Sequence, residues 1–298
     1  MDYLGIVKKS WQITWKNKFL WFFGLFVTGG ITVFDFNYNM NDSSFGQATK
    51  SLGQDKNKII DFFQNSWLVL VIIGITCLFI FLVLSILNVI SQGALIGCVE
   101  KIENKKPTSL QDGLSIGLSR FWRILGLNLL IAFVVVITLF VLFAPVITLF
   151  VLNMPFRGLA LLGLAIIIFA PLVFVLSYSR LFASQEIVLK NRGIIESLGA
   201  GFNILKSHIW QIILMALLLL VASIAQGVII FAAVIVIGIP GVLLGIIGYL
   251  IGHSVGLIMA IVPIALLFLI LCFIISAIYK TFVSATWTLT YLEIERKK

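Results

Sequence analysis

The stretch WRILGLNLLIAFVVVITLFVLFAPVITLFVL, from Trp122 to Leu152, decides the fold class of this chain. It contains one charged residue, Arg123, and is much longer than the roughly 18 apolar residues that mark a membrane span. Of all 298 residues, 61% are hydrophobic and only 11% are charged, and the mean hydropathy is +1.14. An average soluble domain has about 25% charged residues. A soluble fold of this composition could not cover its apolar surface with polar groups. The sequence therefore predicts an all-α integral membrane protein.

Other apolar segments on both sides of this stretch bring the predicted number of transmembrane helices to about six. Residues 2–18 should form an interfacial helix, because aromatic and apolar residues recur every four positions among lysines. The predicted spans are about 19–34, 67–97, 122–152, 158–182, 209–237 and 256–279, with a polar outer loop at 35–65. The last apolar block, Gly241–Tyr279, is too long for one straight span, so we expect 241–254 to re-enter the bilayer or to lie at its interface.

The basic residues indicate the orientation of these spans. With six spans and an internal N-terminus, all but four of the 21 Lys and Arg residues fall on the inner side, and the exceptions are Lys50, Lys56, Lys58 and Arg157. The positive-inside rule then predicts a multi-pass protein of the cell membrane with both termini in the cytoplasm. The formal net charge of +9 favours anionic lipid headgroups on the cytoplasmic face as partners, rather than nucleic acid, because the cations lie beside apolar segments.

Amphipathic stretches that lead into spans form a loose internal repetition. Thr108–Trp122 and Ile194–Trp210 each place apolar residues on one helical face and end at a tryptophan, as the N-terminal helix does. We predict cytoplasmic elbow helices at these places. True duplication and independent selection of such residues at membrane elbows both remain open.

The residues from Gly252 to Gly256 match the G-x-S-x-G pattern of a serine hydrolase, with Ser254 as the nucleophile. That motif needs a strand before the serine, whereas this segment is glycine-rich membrane sequence. The favoured interpretation is helix packing, because five glycines recur at steps of four, three, four and four and would share one helical face. These glycines are Gly241, Gly245, Gly248, Gly252 and Gly256.

Four amide side chains are the candidate polar positions inside the spans: Asn88, Gln92, Asn128 and Gln226. In lipid such groups either join helices by hydrogen bonds or line a path for a polar solute, and joining is the favoured interpretation. No Asp or Glu lies in the middle of a predicted span, which disfavours coupling to protons or sodium ions. The sequence contains no phosphate-binding loop or zinc-binding helix motif, so we predict no catalytic residue, no metal and no cofactor.

Three stretches of the chain, Ser91–Leu130, Ile187–Leu219 and Thr288–Lys298, carry a family resemblance. In them the chain resembles the membrane domain of bacterial glycerophosphodiester phosphodiesterases and related uncharacterised stand-alone membrane proteins with six helices. The resemblance implies a six-helix bundle in the plasma membrane with surface elbow helices. It implies no phosphodiesterase activity, because the catalytic barrel is absent and no catalytic residue can be carried over.

The leading functional hypothesis is an accessory or scaffold protein of the bacterial plasma membrane, without recognisable catalytic machinery and with a possible protein partner. The alternative is a transporter or channel for lipids or small solutes, which would arrange the four amides around one water-accessible cavity. An intramembrane serine hydrolase is the distant third hypothesis, and it would need Ser254 beside His253 or His208 together with an acid.

Overall fold

The computed structural model describes residues 1–29, 67–152 and 154–296, and in these ranges every regular element is an α-helix. The helices are α1 (Tyr3–Lys16), α2 (Leu20–Gly29), α3 (Trp67–Glu103), α4 (Leu110–Val151), α5 (Pro155–Lys190), α6 (Ile194–Ser207) and α7 (Ile209–Arg296). Five segments of the described chain are long and apolar enough to cross a membrane. The predicted all-α membrane fold is confirmed. The first predicted span, 19–34, coincides with α2 only as far as Gly29, and the loop 35–65 lies outside the described residues.

Helix α7 is a hairpin, because its backbone leaves helical geometry at Gly252 and at His253, whose φ is 51°. We call Ile209–Leu250 the first arm and Met259–Arg296 the second arm. Gly241 of the first arm lies against Ile264 of the second. Residues 241–250 therefore continue the helix of the first arm, because the chain reverses only after Leu250. The expectation that 241–254 re-enters the bilayer or lies at its interface stays a prediction.

By its contacts the chain divides into two units, Met1–Gly29 with Asn88–Lys298, and Gly30–Leu87. In the second unit only Trp67–Leu87 is described, as the first half of α3. Its side chains from Val71 to Leu84 are all exposed, and nearly all of them are apolar. A helix that faces lipid presents this kind of surface.

The packed core of the first unit lies around the end of the second arm. Phe282, Ala285, Trp287, Tyr291 and Ile294 are all buried there, and they pack with residues of α1, α2, α3, α5 and the start of α7. Away from this core the arms, α4 and α5 expose large apolar side chains, such as Phe140 at 68% and Val236 at 71%. The part of the unit away from the core therefore has the surface that hydrocarbon requires.

The predicted elbow at Thr108–Trp122 is the beginning of α4, which continues into the span without a break. Ser109 caps this helix, since its hydroxyl accepts a hydrogen bond from the backbone N–H of Asp112 while the Asp112 carboxylate accepts one from the N–H of Ser109. The other elbow is the separate helix α6, whose buried face includes Ser197, Gly201 and Ile204.

Glycines allow helices of the core to approach each other closely. A Cβ on Gly117 of α4 would lie 2.3 Å from the carbonyl oxygen of Ile90 on α3. A Cβ on Gly24 of α2 would lie 2.3 Å from the carbonyl oxygen of Ala277 on the second arm. Side chains larger than hydrogen do not fit at these crossings, as in other small-residue contacts of membrane helices.

We expect Gly117→Ala to lower the free energy of unfolding by roughly 1–3 kcal/mol, because the added methyl forces α3 and α4 apart. Thermal unfolding in detergent measures the change. The matched control is Gly227→Ala on the first arm, where a Cβ meets no atom within 4 Å. That variant should be neutral or slightly more stable, because alanine favours helix over glycine. Equal destabilisation by both variants would contradict the close crossing.

Candidate functional site

Charged side chains at the core end of the first unit form several groups of ion pairs and hydrogen bonds, which we together call the polar collar. It draws on α1, α3, α4, α5, α6 and α7. Its charged members are Lys9, Lys101, Glu103, Asp112, Arg120, Arg123, Glu186, Lys190, Arg192, Glu196, Glu295 and Arg296.

The most deeply buried carboxylate of the collar is Glu186, near the end of α5, with a side-chain exposure of 2%. The phenol of Tyr291 donates a hydrogen bond of 2.7 Å to its Oε1 atom. Lys190 Nζ lies 3.4 Å from the same oxygen, and Arg192 Nη1 lies 3.1 Å from Oε2. Two cations and a phenol therefore compensate the desolvation of this charge, which would be costly if it were left alone.

The same region joins the chain's last turn to α5. Lys190 also pairs with Glu295, and its ammonium lies 5.9 Å from the centre of the Tyr291 ring. Arg192 continues the network to Glu196 of α6, with 3.2 Å between Nε and Oε1. A single set of charges thus holds α5, α6 and the second arm in register.

A second buried carboxylate, Glu103 at the end of α3, brings the two ends of the described chain together. Its side chain is 6% exposed, and its Oε2 lies 2.7 Å from Nζ of Lys9 on α1. Arg296 Nη2 lies 3.3 Å from its Oε1. Because Lys9 and Arg296 contact one carboxylate, both ends of the described chain lie at the same end of the molecule.

The turn between α5 and α6 is clamped by two arginines of α4. Asn191 ends α5 in the left-handed conformation, with φ at 59°, and its side-chain oxygen accepts hydrogen bonds from both Arg120 and Arg123. Arg123 also donates to the Asn191 carbonyl oxygen at 2.9 Å. The Arg123 bond to the Asn191 carbonyl oxygen satisfies one of the carbonyl groups that a helix C-terminus leaves without partners.

The structure brings two of the four predicted amides together. The Asn88 amide donates to the carbonyl oxygens of Phe26 and Val27, at 3.2 and 3.1 Å, and its oxygen accepts a 2.8 Å hydrogen bond from Gln92. Asn88 thereby joins α3 to the last turn of α2. Asn128 and Gln226 are half-buried, and neither makes a side-chain hydrogen bond within the described ranges.

The G-x-S-x-G segment forms the turn of the α7 hairpin. A helix precedes it where a nucleophile elbow would have a strand. His208 caps the end of α6 and precedes the first arm, about 68 Å along the helix from His253 at 1.5 Å per residue. His208 therefore cannot act together with a group at the hairpin turn.

The five glycines do not lie on one helix, because the chain reverses at Gly252. Gly241, Gly245 and Gly248 face the opposite arm, where a Cβ would meet Ile264, Ile261 and the Gly256 carbonyl respectively. Gly256 faces Gly248 in turn, and Gly252 has open space around it.

Comparison with known proteins assigns the chain to a family through a match over residues 19–293. The chain belongs to DUF7544, a family of unknown function. No curated protein and no solved structure matches the chain. The DUF7544 match includes Glu103, Glu186 and Tyr291 of the collar, whereas Lys9 and Arg296 lie outside it.

We expect Glu186→Ala to lower the free energy of unfolding by roughly 3–5 kcal/mol, because it leaves Lys190 and Arg192 without their buried partner. Glu186→Gln should cost less, since an amide oxygen can still accept from Tyr291. The matched control is Glu196→Ala, which removes a carboxylate that is 64% exposed and should cost under about 1 kcal/mol. Chemical unfolding in detergent measures all three, and equal effects of the two alanine variants would contradict the role given to Glu186.

Proposed function

We propose that this DUF7544 protein is a non-enzymatic accessory or scaffold protein of the bacterial plasma membrane, held by its collar end to anionic lipid headgroups on the cytoplasmic face. The observation that carries the proposal is the division of its cations into two sets. The collar cations are paired with carboxylates or with Asn191, and so they are engaged in holding helices together. A second set is exposed and takes part in no ion pair within the described ranges: Lys8, Lys16, Lys18, Lys105, Lys106 and Lys206.

Exposed tryptophans accompany the second set of cations. Trp15 is 43% exposed beside Lys16, and Trp210 is 75% exposed four residues after Lys206. Trp11 and Trp122 are also exposed, at 51% and 78%. Indole rings favour the boundary between headgroups and hydrocarbon, and each lysine near an anionic surface contributes roughly 1 kcal/mol. Together they supply the features of an interfacial anchor.

The cytoplasmic orientation rests on the distribution of charge. The collar gathers basic residues from inner segments of the predicted topology, and the positive-inside rule favours the cytoplasm for them. Lys9 and Arg296 meet at one carboxylate, which agrees with an even number of spans.

The scaffold proposal is preferred to the transporter hypothesis because of the bonds that Asn88 makes. Both of its amide hydrogens go to carbonyl oxygens of α2, and its oxygen accepts from Gln92. An amide whose donors join two helices and whose oxygen accepts from a neighbour on its own helix has little capacity left for a polar solute.

The test replaces three exposed lysines in Lys16→Gln/Lys18→Gln/Lys206→Gln and counts the lipids that the protein retains from mixed membranes by native mass spectrometry. We expect the enrichment of phosphatidylglycerol over phosphatidylethanolamine to fall several-fold, and its dependence on salt to weaken. The matched control is Lys50→Gln/Lys56→Gln/Lys58→Gln, which removes the same charge from the predicted outer loop. Equal loss in both variants, or no loss in the first, would overturn the lipid anchor.

A further inference from the structure

The height of the α7 hairpin can be compared with that of α5, because contacts fix their register. Tyr291 contacts Glu186 and Glu295 contacts Lys190, and in each pair the residues are 105 positions apart. The rings of Phe182 and Trp287, with 6.0 Å between their centroids, follow the same offset. The two helices run in the same direction, and by residue count alone the same offset pairs Arg157 with Val262.

Arg157 marks the edge of the hydrocarbon on the side away from the collar. It is exposed at the start of α5, and no charged residue lies between it and Arg180. The two arginines are about 35 Å apart along the helix at 1.5 Å per residue, which matches a hydrocarbon core of roughly 30 Å. The α4–α5 hairpin therefore spans the bilayer and ends at its boundary.

The α7 hairpin continues past this boundary. From Val262 to the turn at Gly252 the chain adds ten positions, or about 15 Å, which is more than the polar headgroup layer of about 5–7 Å on each side. No Asp, Glu, Lys or Arg occurs between Lys206 and Lys280. We call Gly241–Val262 the hairpin tip, and its Leu250 and Met259 are each 74% exposed.

A straight tip would place these apolar side chains in water, which costs roughly 1.5–3 kcal/mol for each large one relative to burial. The second arm and the first arm both contain a proline at the base of the tip, Pro263 and Pro240. Gly241 follows Pro240 and Ile264 follows Pro263, and Gly241 contacts Ile264. The two prolines therefore lie at about the same level along the hairpin. Each proline removes a backbone hydrogen bond and crowds the preceding turn, so both arms have a bending point at the bilayer boundary.

We infer that the hairpin tip bends at Pro240 and Pro263 and docks into the lipid leaflet away from the collar, at the boundary between acyl chains and headgroups. An apolar cavity of ≈ 230 Å³ between the arms, lined by Gly241, Ile264 and Phe268 among others, leaves room for the bend. At the far end Tyr249 and His253 lie with their ring centres 6.1 Å apart. Aromatic rings with polar atoms favour the headgroup level, where the bent tip would hold them.

Fluorescence quenching in nanodiscs tests this inference with a fluorophore on Leu250→Cys, in a Cys77→Ser/Cys272→Ser background that retains the buried Cys98. The reference position is Phe156→Cys, which is 92% exposed beside Arg157. Nitroxide lipids labelled near the headgroup should quench the two fluorophores to extents that agree within about twofold. Aqueous iodide should quench the Leu250→Cys label no more than it quenches the Phe156→Cys label. Strong iodide quenching with weak lipid quenching would show a straight tip in water. Protection from both quenchers would show a protein cover. Either result overturns the inference.

The hinge is tested separately by Pro240→Ala/Pro263→Ala, which restores the missing backbone donors. We expect iodide quenching of the Leu250→Cys label to rise several-fold as the tip straightens. The matched control is Pro145→Ala/Pro171→Ala, which removes prolines inside α4 and α5 and should leave the quenching of that label unchanged. An unchanged signal in the first variant would overturn bending at these prolines. If Pro240→Ala/Pro263→Ala does not fold, the comparison between the Leu250→Cys and Phe156→Cys labels decides the inference.

Discussion

The structure depends on the neutralisation of Glu186, a carboxylate that is almost fully buried where α5 leaves the bundle. Its two cations are Lys190, the last residue of α5, and Arg192 of the turn after it, whereas the phenol of Tyr291 comes from the second arm. A buried charge without partners costs several kcal/mol, and sliding the second arm along α5 would remove the Tyr291 hydrogen bond to Glu186 and the ion pair between Lys190 and Glu295. The register set at Tyr291 then determines how far the α7 hairpin extends beyond its neighbours.

Glu103 extends the same constraint to the first helix, because it pairs with both Lys9 and Arg296. The polar collar therefore joins α1, α3 and the second arm where they leave the bundle. The apolar remainder of α4, α5 and the two arms has few buried residues and exposes its side chains outward. Such a division between a tightly packed end and a lipid-facing end suits a protein that presents a fixed surface to the membrane or to a partner, which is the role that we propose.

Sequence patterns predicted the helical membrane fold because long apolar stretches have no other stable solution in water or lipid. They failed at the end of the first arm, since hydropathy does not distinguish a helix that continues past Pro240 from a new segment. At the start of α4 the predicted elbow and the span that it enters form one continuous helix. Glu186 was missed because it lies in a charged stretch that was predicted to be an inner loop. Its spacing of four from both Lys190 and the apolar Phe182 was the available signal.

We propose that the polar collar and the α4–α5 turn lie on opposite sides of the bilayer, with the collar in the cytoplasm. Single cysteines at Gln12 of α1 and at Phe156 beside the turn, both exposed positions, can be treated with a membrane-impermeant maleimide in intact cells, after the exposed native cysteine is replaced. We expect Phe156→Cys to react at once, whereas Gln12→Cys should react only after the membrane is permeabilised. Labelling of Gln12→Cys in intact cells, or reaction of both positions there, would contradict it.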